Sequence, residues 1–282
     1  MSEKGMQILH KRNVLPDLKQ IDLKFCEHCV YGKQKRVRLL RVEKENKSEK
    51  LELVHTNVWG PTQVSSLGGY HYYVTFIDDA NRKTWVYCIR HKSDVFDTFK
   101  KYKALVQNET GKRLKCLISD YGHEYCNKDF ENYCSYHGNR KVKRIIGIPQ
   151  ETSVLERMNM TIMECARSMR LYAGFPLQFW VDVVDTIVYL INKGHSNALD
   201  GGILEEAWIS KKVKYSFLKT FSCEAFTHTD KENRTKLEAK SKKCTFIGYG
   251  VHDFGYRLWD YENHKIITSR DVVFNEKVMY KD

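Results

Sequence analysis

The sequence predicts a mixed α/β domain followed by a small all-β module. Three observations carry this: consecutive β-branched and aromatic runs between residues 51 and 91, alternating helical and strand patterns from there to about 192, and short strands at regular spacing after about 220. LELVHTNVW (51–59) alternates Leu51, Leu53 and His55 against Val54, Thr56 and Val58, a strand ended by Gly60-Pro61. HYYVTFIDD (71–79) and KTWVYCIRH (83–91), joined by Ala80-Asn81-Arg82, form a hairpin. Ser93 can cap a helix in which Val95, Phe96, Phe99, Tyr102 and Leu105 share a face until Gly111 stops it. RLKCLISD (113–120) is a fourth strand, NKDFENYCSYHG a short helix closed by Gly138, and VKRIIGI (142–148) a fifth strand. Helices follow over about 151–172 and 176–192, divided by Gly174-Phe175-Pro176. CTFIGYG, GYRLWDY and KIITSRDVVF complete the chain as strands of a small β-barrel or open sheet.

Composition narrows the function classes. The 282 residues are 42% apolar and 29% charged, with only 4 Pro, which excludes collagen-like and long disordered chains. No apolar run is long enough to span a bilayer, and no secretory signal is evident, so the expected setting is cytoplasm or nucleus, without a membrane partner. The nine Cys, an odd count without a framework, read as reduced thiols. The net charge of +12 is uneven: +6 over residues 1–50, +1 over 51–210 and +5 over 211–282. Such basic flanks suit a polyanion and equally a solvated surface.

Three positions in the α/β part can carry chemistry. Asn57 lies near the end of the first strand, Asp120 ends the fourth, and Glu156 begins the helix after the fifth. Carboxylates at the tips of adjacent strands, joined by one from a neighbouring helix, can converge on a hard divalent cation. By spacing alone, Asp120 and Glu156 also read as ordinary surface charge. Along the helix, Leu155, Met158, Ile162, Cys165, Ala166 and Met169 form a core stripe, while Glu156, Met160, Met163, Arg167 and Arg170 occupy another face, either solvated or laid along a phosphate backbone. Trp180 and Tyr189 read as core, and the apolar face of 176–192 as core or a dimer contact.

The words LELVHTNVWGPTQVSSLGGYHYYVTFIDDANRKTWVY, ISDYGHEY, PQETSVLERMNMTI, FWVDVVDTIVYLIN and CTFIGYGVHDFGYRLWDYENHKIITSRDVVF, in this order, closely resemble the integrase region of Copia-type LTR retrotransposon polyproteins. CEHCVYGKQKR resembles the pre-integrase zinc segment before it. The resemblance implies a ribonuclease-H-like integrase core (mixed five-stranded sheet with helices) over 50–212, a small β-barrel-like domain over 220–276, and a truncated zinc segment with a basic linker over 1–42. It also implies 3′-end processing and joining of double-stranded DNA, a Mg²⁺ or Mn²⁺ site of two aspartates and a glutamate, and homo-oligomers.

Departures from the family pattern cluster at that site. The family's first catalytic aspartate falls on Asn57, leaving Asp120 and Glu156 as metal ligands. Asp78 and Asp79 are a pair the family also carries, so they do not replace it. The glycine-containing turn before the glutamate reads Glu151-Thr152-Ser153, the arginine one turn after it is Met160, and Gly-Gly in the second motif is Gly122-His123. Asn159 is retained and can donate to DNA, as can Lys35, Arg36, Arg38, Arg167 and Arg170. Cys26 and Cys29 have zinc-ligand spacing, but the family's two histidines belong upstream of them, so the set is incomplete. The expectation is an integrase-type recombinase impaired by Asn57. The rival is a catalytically dead remnant of the same fold that binds nucleic acid or itself.

Overall fold

The computed structural model describes residues 49–119, 122–143, 149–196, 199, 201–228, 237, 239–250 and 255–280. Cys26, Cys29, Lys35, Arg36 and Arg38 lie outside the described residues.

The first sheet contains β1 (Leu53–Trp59), β2 (Tyr72–Asp78), β3 (Thr84–Ile89), β4 (Cys116–Ser119) and β5 (Arg140–Lys143) in the order β3-β2-β1-β4-β5. The first three pair antiparallel, β1 and β2 joined through residues 60–71 and β2 and β3 through a short turn, and β1–β4 and β4–β5 pair parallel, with a helix leading into β4 and into β5. Those helices are α1 (Val95–Thr110) and α2 (Lys128–Tyr136). Helix α1 ends at Gly111 with φ 66°, as its glycine predicts. Its start differs: Ser93 sits inside a short 3₁₀ turn, and the Asp94 carboxylate accepts the His91 amide at 3.0 Å. The fifth strand begins two residues earlier than its apolar run suggested, because Arg140 pairs with Cys116; residues 144–148 lie outside the described residues.

Two helices cover the other face, α3 (Pro149–Ala173) and α4 (Trp180–Lys193), with a 3₁₀ turn over Leu177–Phe179 between them. A short helix, α5 (Leu204–Ile209), follows and had no clear signal in the sequence. The second sheet is wholly antiparallel, β10-β6-β7-β8-β9, built from β6 (Cys223–His228), β7 (Ser241–Tyr249), β8 (Tyr256–Asp260), β9 (Lys265–Ser269) and β10 (Val272–Met279). KIITSRDVVF is therefore two strands, divided at Arg270-Asp271, and β6 was not anticipated.

Strand alternation divides the core. Val54, Val74 and Phe76 face α1 and α2 with Phe99, Tyr102 and Phe130. Tyr73 faces the opposite way, toward Ile162 and Ala166 of α3 and Val183, Val184 and Ile187 of α4. Helix α4 is buried on most sides, against β3 on one flank and β7 on the other, so most of its apolar face is core. Tyr189 stacks on Tyr249 at 4.1 Å, and Phe179 meets Trp259 edge-on at 5.1 Å. The all-β module thus rests on the same helix that covers the first sheet.

Candidate active site

Asn57 is half-buried on the central strand β1, and its cross-strand partner on β2 is Thr75. Directly opposed residues of an antiparallel pair project from the same face. The Thr75 hydroxyl donates to the Asn159 side-chain oxygen at 3.0 Å, so that face is the one α3 covers. Glu156 precedes Asn159 by three residues, one helical turn, and is solvent-exposed. Thr75 thus ties α3 at Asn159 to the strand beside Asn57, and Glu156 lies one turn earlier on the same helix. Strand β4 lies next to β1 and parallel to it, with Leu53, Val54 and His55 opposite Cys116, Leu117 and Ile118. Asp120 directly follows Ser119, the last residue of β4, and lies outside the described residues.

Neighbouring polar groups are committed to structure. His55, two residues before Asn57 and on the same face of β1, is 4% exposed and bonds through Nε2 to Asp79 Oδ1 at 2.9 Å. Arg82 donates to the same oxygen at 2.5 Å. Burial works to raise the Asp79 carboxyl, but His55 and Arg82 outweigh it and hold it at about 2. Asp78 is buried, which raises its carboxyl, and it accepts the backbone N–H groups of Leu51 at 2.8 Å and Asn81 at 3.3 Å. Neither aspartate is available to replace a carboxylate at position 57. On the opposite face, Thr56 and Tyr125 share a hydrogen bond of 2.8 Å that ties β1 to the segment after β4. A Cβ at Gly122 would come within 2.6 Å of the Glu124 carboxylate, the flexible end of a side chain that can move aside.

Of the donors the resemblance implies, Asn57 is the one that does not suit a pair of divalent cations, and Asp120 lies outside the described residues. Asn57 offers one neutral amide oxygen where bridging two ions needs a charged, two-oxygen group. Among the described residues no group of three or more His, Cys, Asp or Glu is placed to hold a metal.

Comparison with known proteins places this geometry in a family. Residues 223–282 match the retroviral polymerase SH3-like domain. The chain is 51% identical over 276 residues, 98% of its length, to the retrovirus-related Pol polyprotein from transposon TNT 1-94 of Nicotiana tabacum. It is 32% identical over 230 residues (82% of the chain) to the Pol polyprotein from transposon RE2 of Arabidopsis thaliana, and 28% over 251 residues (89%) to that from transposon RE1 of the same plant. The chain corresponds to the integrase region of a Copia-type Pol polyprotein. It spans 21% of the tobacco polyprotein and 16% and 17% of the two Arabidopsis ones.

Within this integrase region, the mixed five-stranded sheet with its helices is the ribonuclease-H-like core, and the antiparallel sheet is the small β module. The residues expected to touch DNA are placed unevenly. Asn159 is only 8% exposed and its oxygen is taken by Thr75, so it joins α3 to β2 instead of meeting solvent. Arg167 is exposed, whereas Arg170 is half-buried and donates to the Phe175 carbonyl at 2.8 Å, closing the end of α3. Two stripe assignments also change: Cys165 is exposed, and Met163 packs into the core. A 25-residue helix packed on two partners buries a face wider than a single 3.6-residue stripe shows. Sequence reasoning missed Thr75 and the His55–Asp79 pair. Their signal was weak: His55 shares the strand face of Asn57, and Thr75 is one of several β-branched residues in its run.

Proposed function

We propose that this integrase-region chain is a DNA recombinase of the 3′-end-processing and strand-transfer type whose catalysis is impaired at Asn57. The single observation that carries the reading is the register pair Asn57–Thr75 with its bond to Asn159. That bond ties α3, one turn beyond Glu156, to the strand beside Asn57, and position 57 is an amide. Double-stranded DNA is the partner, held through phosphate contacts by the basic flanks. Any residual activity would depend on Mg²⁺ or Mn²⁺ near Asp120 and Glu156. Zinc is a weaker part of the reading, because Cys26 and Cys29 supply two of the four ligands of a structural site. Homo-oligomers belong to the same proposal. Among the described residues no helix is long and apolar enough to cross a membrane.

A second reading, a binding-only remnant, is favoured by the same amide. One experiment separates the two. Strand transfer is measured with Mn²⁺ for the unaltered chain and for Asn57→Asp, beside a duplex-DNA gel shift over a salt series. The recombinase reading expects joining from Asn57→Asp alone, and DNA retention that weakens steeply as salt rises. Joining by the unaltered chain refutes the impairment. A folded Asn57→Asp chain that binds DNA and joins nothing leaves the binding-only remnant.

A further inference from the structure

A cavity of about 490 Å³ opens between the end of β1 with residues 61–64, the second half of α3 and the start of α4. Its size is that of ligand and peptide-anchor sites. The floor is apolar, made by Trp59, Met163, Ala166, Trp180, Val183 and Val184. Leu171 and Leu177 stand at the lip, 61% and 51% exposed. Large apolar side chains left that open beside an apolar hollow mark a surface that another molecule covers.

Two further observations identify the occupant. First, the indole Nε1 of Trp180 is buried with no hydrogen-bond partner among the described residues, although Trp180 lines the cavity. That nitrogen is closed to solvent, so Trp180 offers an occupant of the groove its ring and not its N–H. Second, the charged groups of the lining are Arg167 and Arg170, about one turn apart on α3, and no carboxylate lines it. Arg170 is pinned by its bond to Phe175, and Arg167 has no bonded partner among the described residues. A phosphate backbone would leave the apolar floor uncovered, and two guanidinium groups are few for a duplex track. A chain carrying both an apolar anchor and a carboxylate suits the floor and Arg167 at once.

We propose that this groove docks a short acidic segment of a partner protein. An aromatic or aliphatic anchor fills the floor against the Trp180 ring, and a carboxylate pairs with Arg167. Neither Asn57 nor Glu156 lines the groove, but Arg167 and Arg170, which the sequence also offers to DNA, do, so the duplex titration separates the two readings.

The test uses the full chain and short fluorescein-labelled peptides that alternate Asp or Glu with Leu, Phe or Trp, with alanine-anchored versions as controls. Anisotropy should show saturable binding of the apolar-anchored peptides only, accompanied by a shift in emission from Trp59 and Trp180. Arg167→Glu and Leu177→Glu alter exposed side chains, so melting should be unchanged while peptide affinity falls about tenfold or more in each. A labelled DNA duplex is titrated in parallel. Three results overturn the proposal: no peptide binding, binding indifferent to both substitutions, or duplex DNA that displaces the peptide and is weakened equally by Arg167→Glu. Self-association abolished by Leu177→Glu, in place of peptide binding, would assign the groove to a second copy and overturn it as well.

Discussion

Replacing Arg257 tests whether the β module is fastened to α4 by charge as well as by packing. Arg257 reaches from β8 to Asp182 Oδ1 at 2.7 Å and to Asp185 Oδ2 at 3.6 Å. The Asp182 side chain is 3% exposed; burial pushes its carboxyl up, and Arg257 pulls it partly back. Arg257→Met keeps the aliphatic stem and removes the charge, leaving a buried carboxylate without its counter-ion. Removing one partner of a buried pair costs about 3–5 kcal/mol, and the lower end applies because Arg257 is 24% exposed. A loss of about 3 kcal/mol corresponds to roughly 6–12 °C in Tm for a chain of this size. The pH dependence has a definite sign. A carboxyl raised in the folded state stabilises below its unfolded pKa, and that contribution is lost as pH rises through the folded value. Without Arg257 the folded value climbs further, so the deficit of the variant should grow with pH and shrink toward acid as Asp182 takes up a proton. Urea unfolding followed by circular dichroism on both sides of neutrality measures this. A deficit under about 1 kcal/mol, or one that does not change with pH, would refute the reasoning. The double variant with Asp182→Asn should recover most of the loss.

Three other outcomes follow from single contacts. Gly248→Ala should destabilise by about 1–3 kcal/mol in thermal melts, since its φ of 149° disfavours a side chain and its Cβ would lie 2.8 Å from Thr186 Oγ1. Thr75→Val removes the donor to Asn159 and should cost about 1–3 kcal/mol, with faster hydrogen exchange along the first half of α3 as the specific sign. Asp79→Asn bears on acid stability: a carboxyl held at about 2 stabilises above its unfolded pKa and loses that contribution as pH falls through the folded value. The variant should therefore be less stable at neutral pH, with a stability gap to the parent that closes under acid titration; a constant gap would contradict the pairing with His55 and Arg82.

Much of the architecture was legible in the sequence because it rests on local rules. Period-2 runs bounded by Gly60-Pro61 and by Ala80-Asn81-Arg82 become β1, β2 and β3, and Gly111 and Gly138 stop their helices by adopting positive φ. The chemical identity of position 57 needs no folding argument either: an amide has neither the charge nor the second oxygen of a carboxylate. The role of Asn159 could not be read in this way. Its side-chain oxygen accepts from Thr75, 84 residues earlier, and the residue is 8% exposed, while its amide N–H groups remain donors. The face of α4 looked free until β7 packed on it, and Arg257 gains its meaning only where Asp182 is buried across the same junction. Turns and periodicities are written in neighbouring residues, so one chain displays them by itself. Which polar side chains become buried, and against which partners, depends on distant segments meeting, and the cost of burying an unpaired charge or donor is set only when they do.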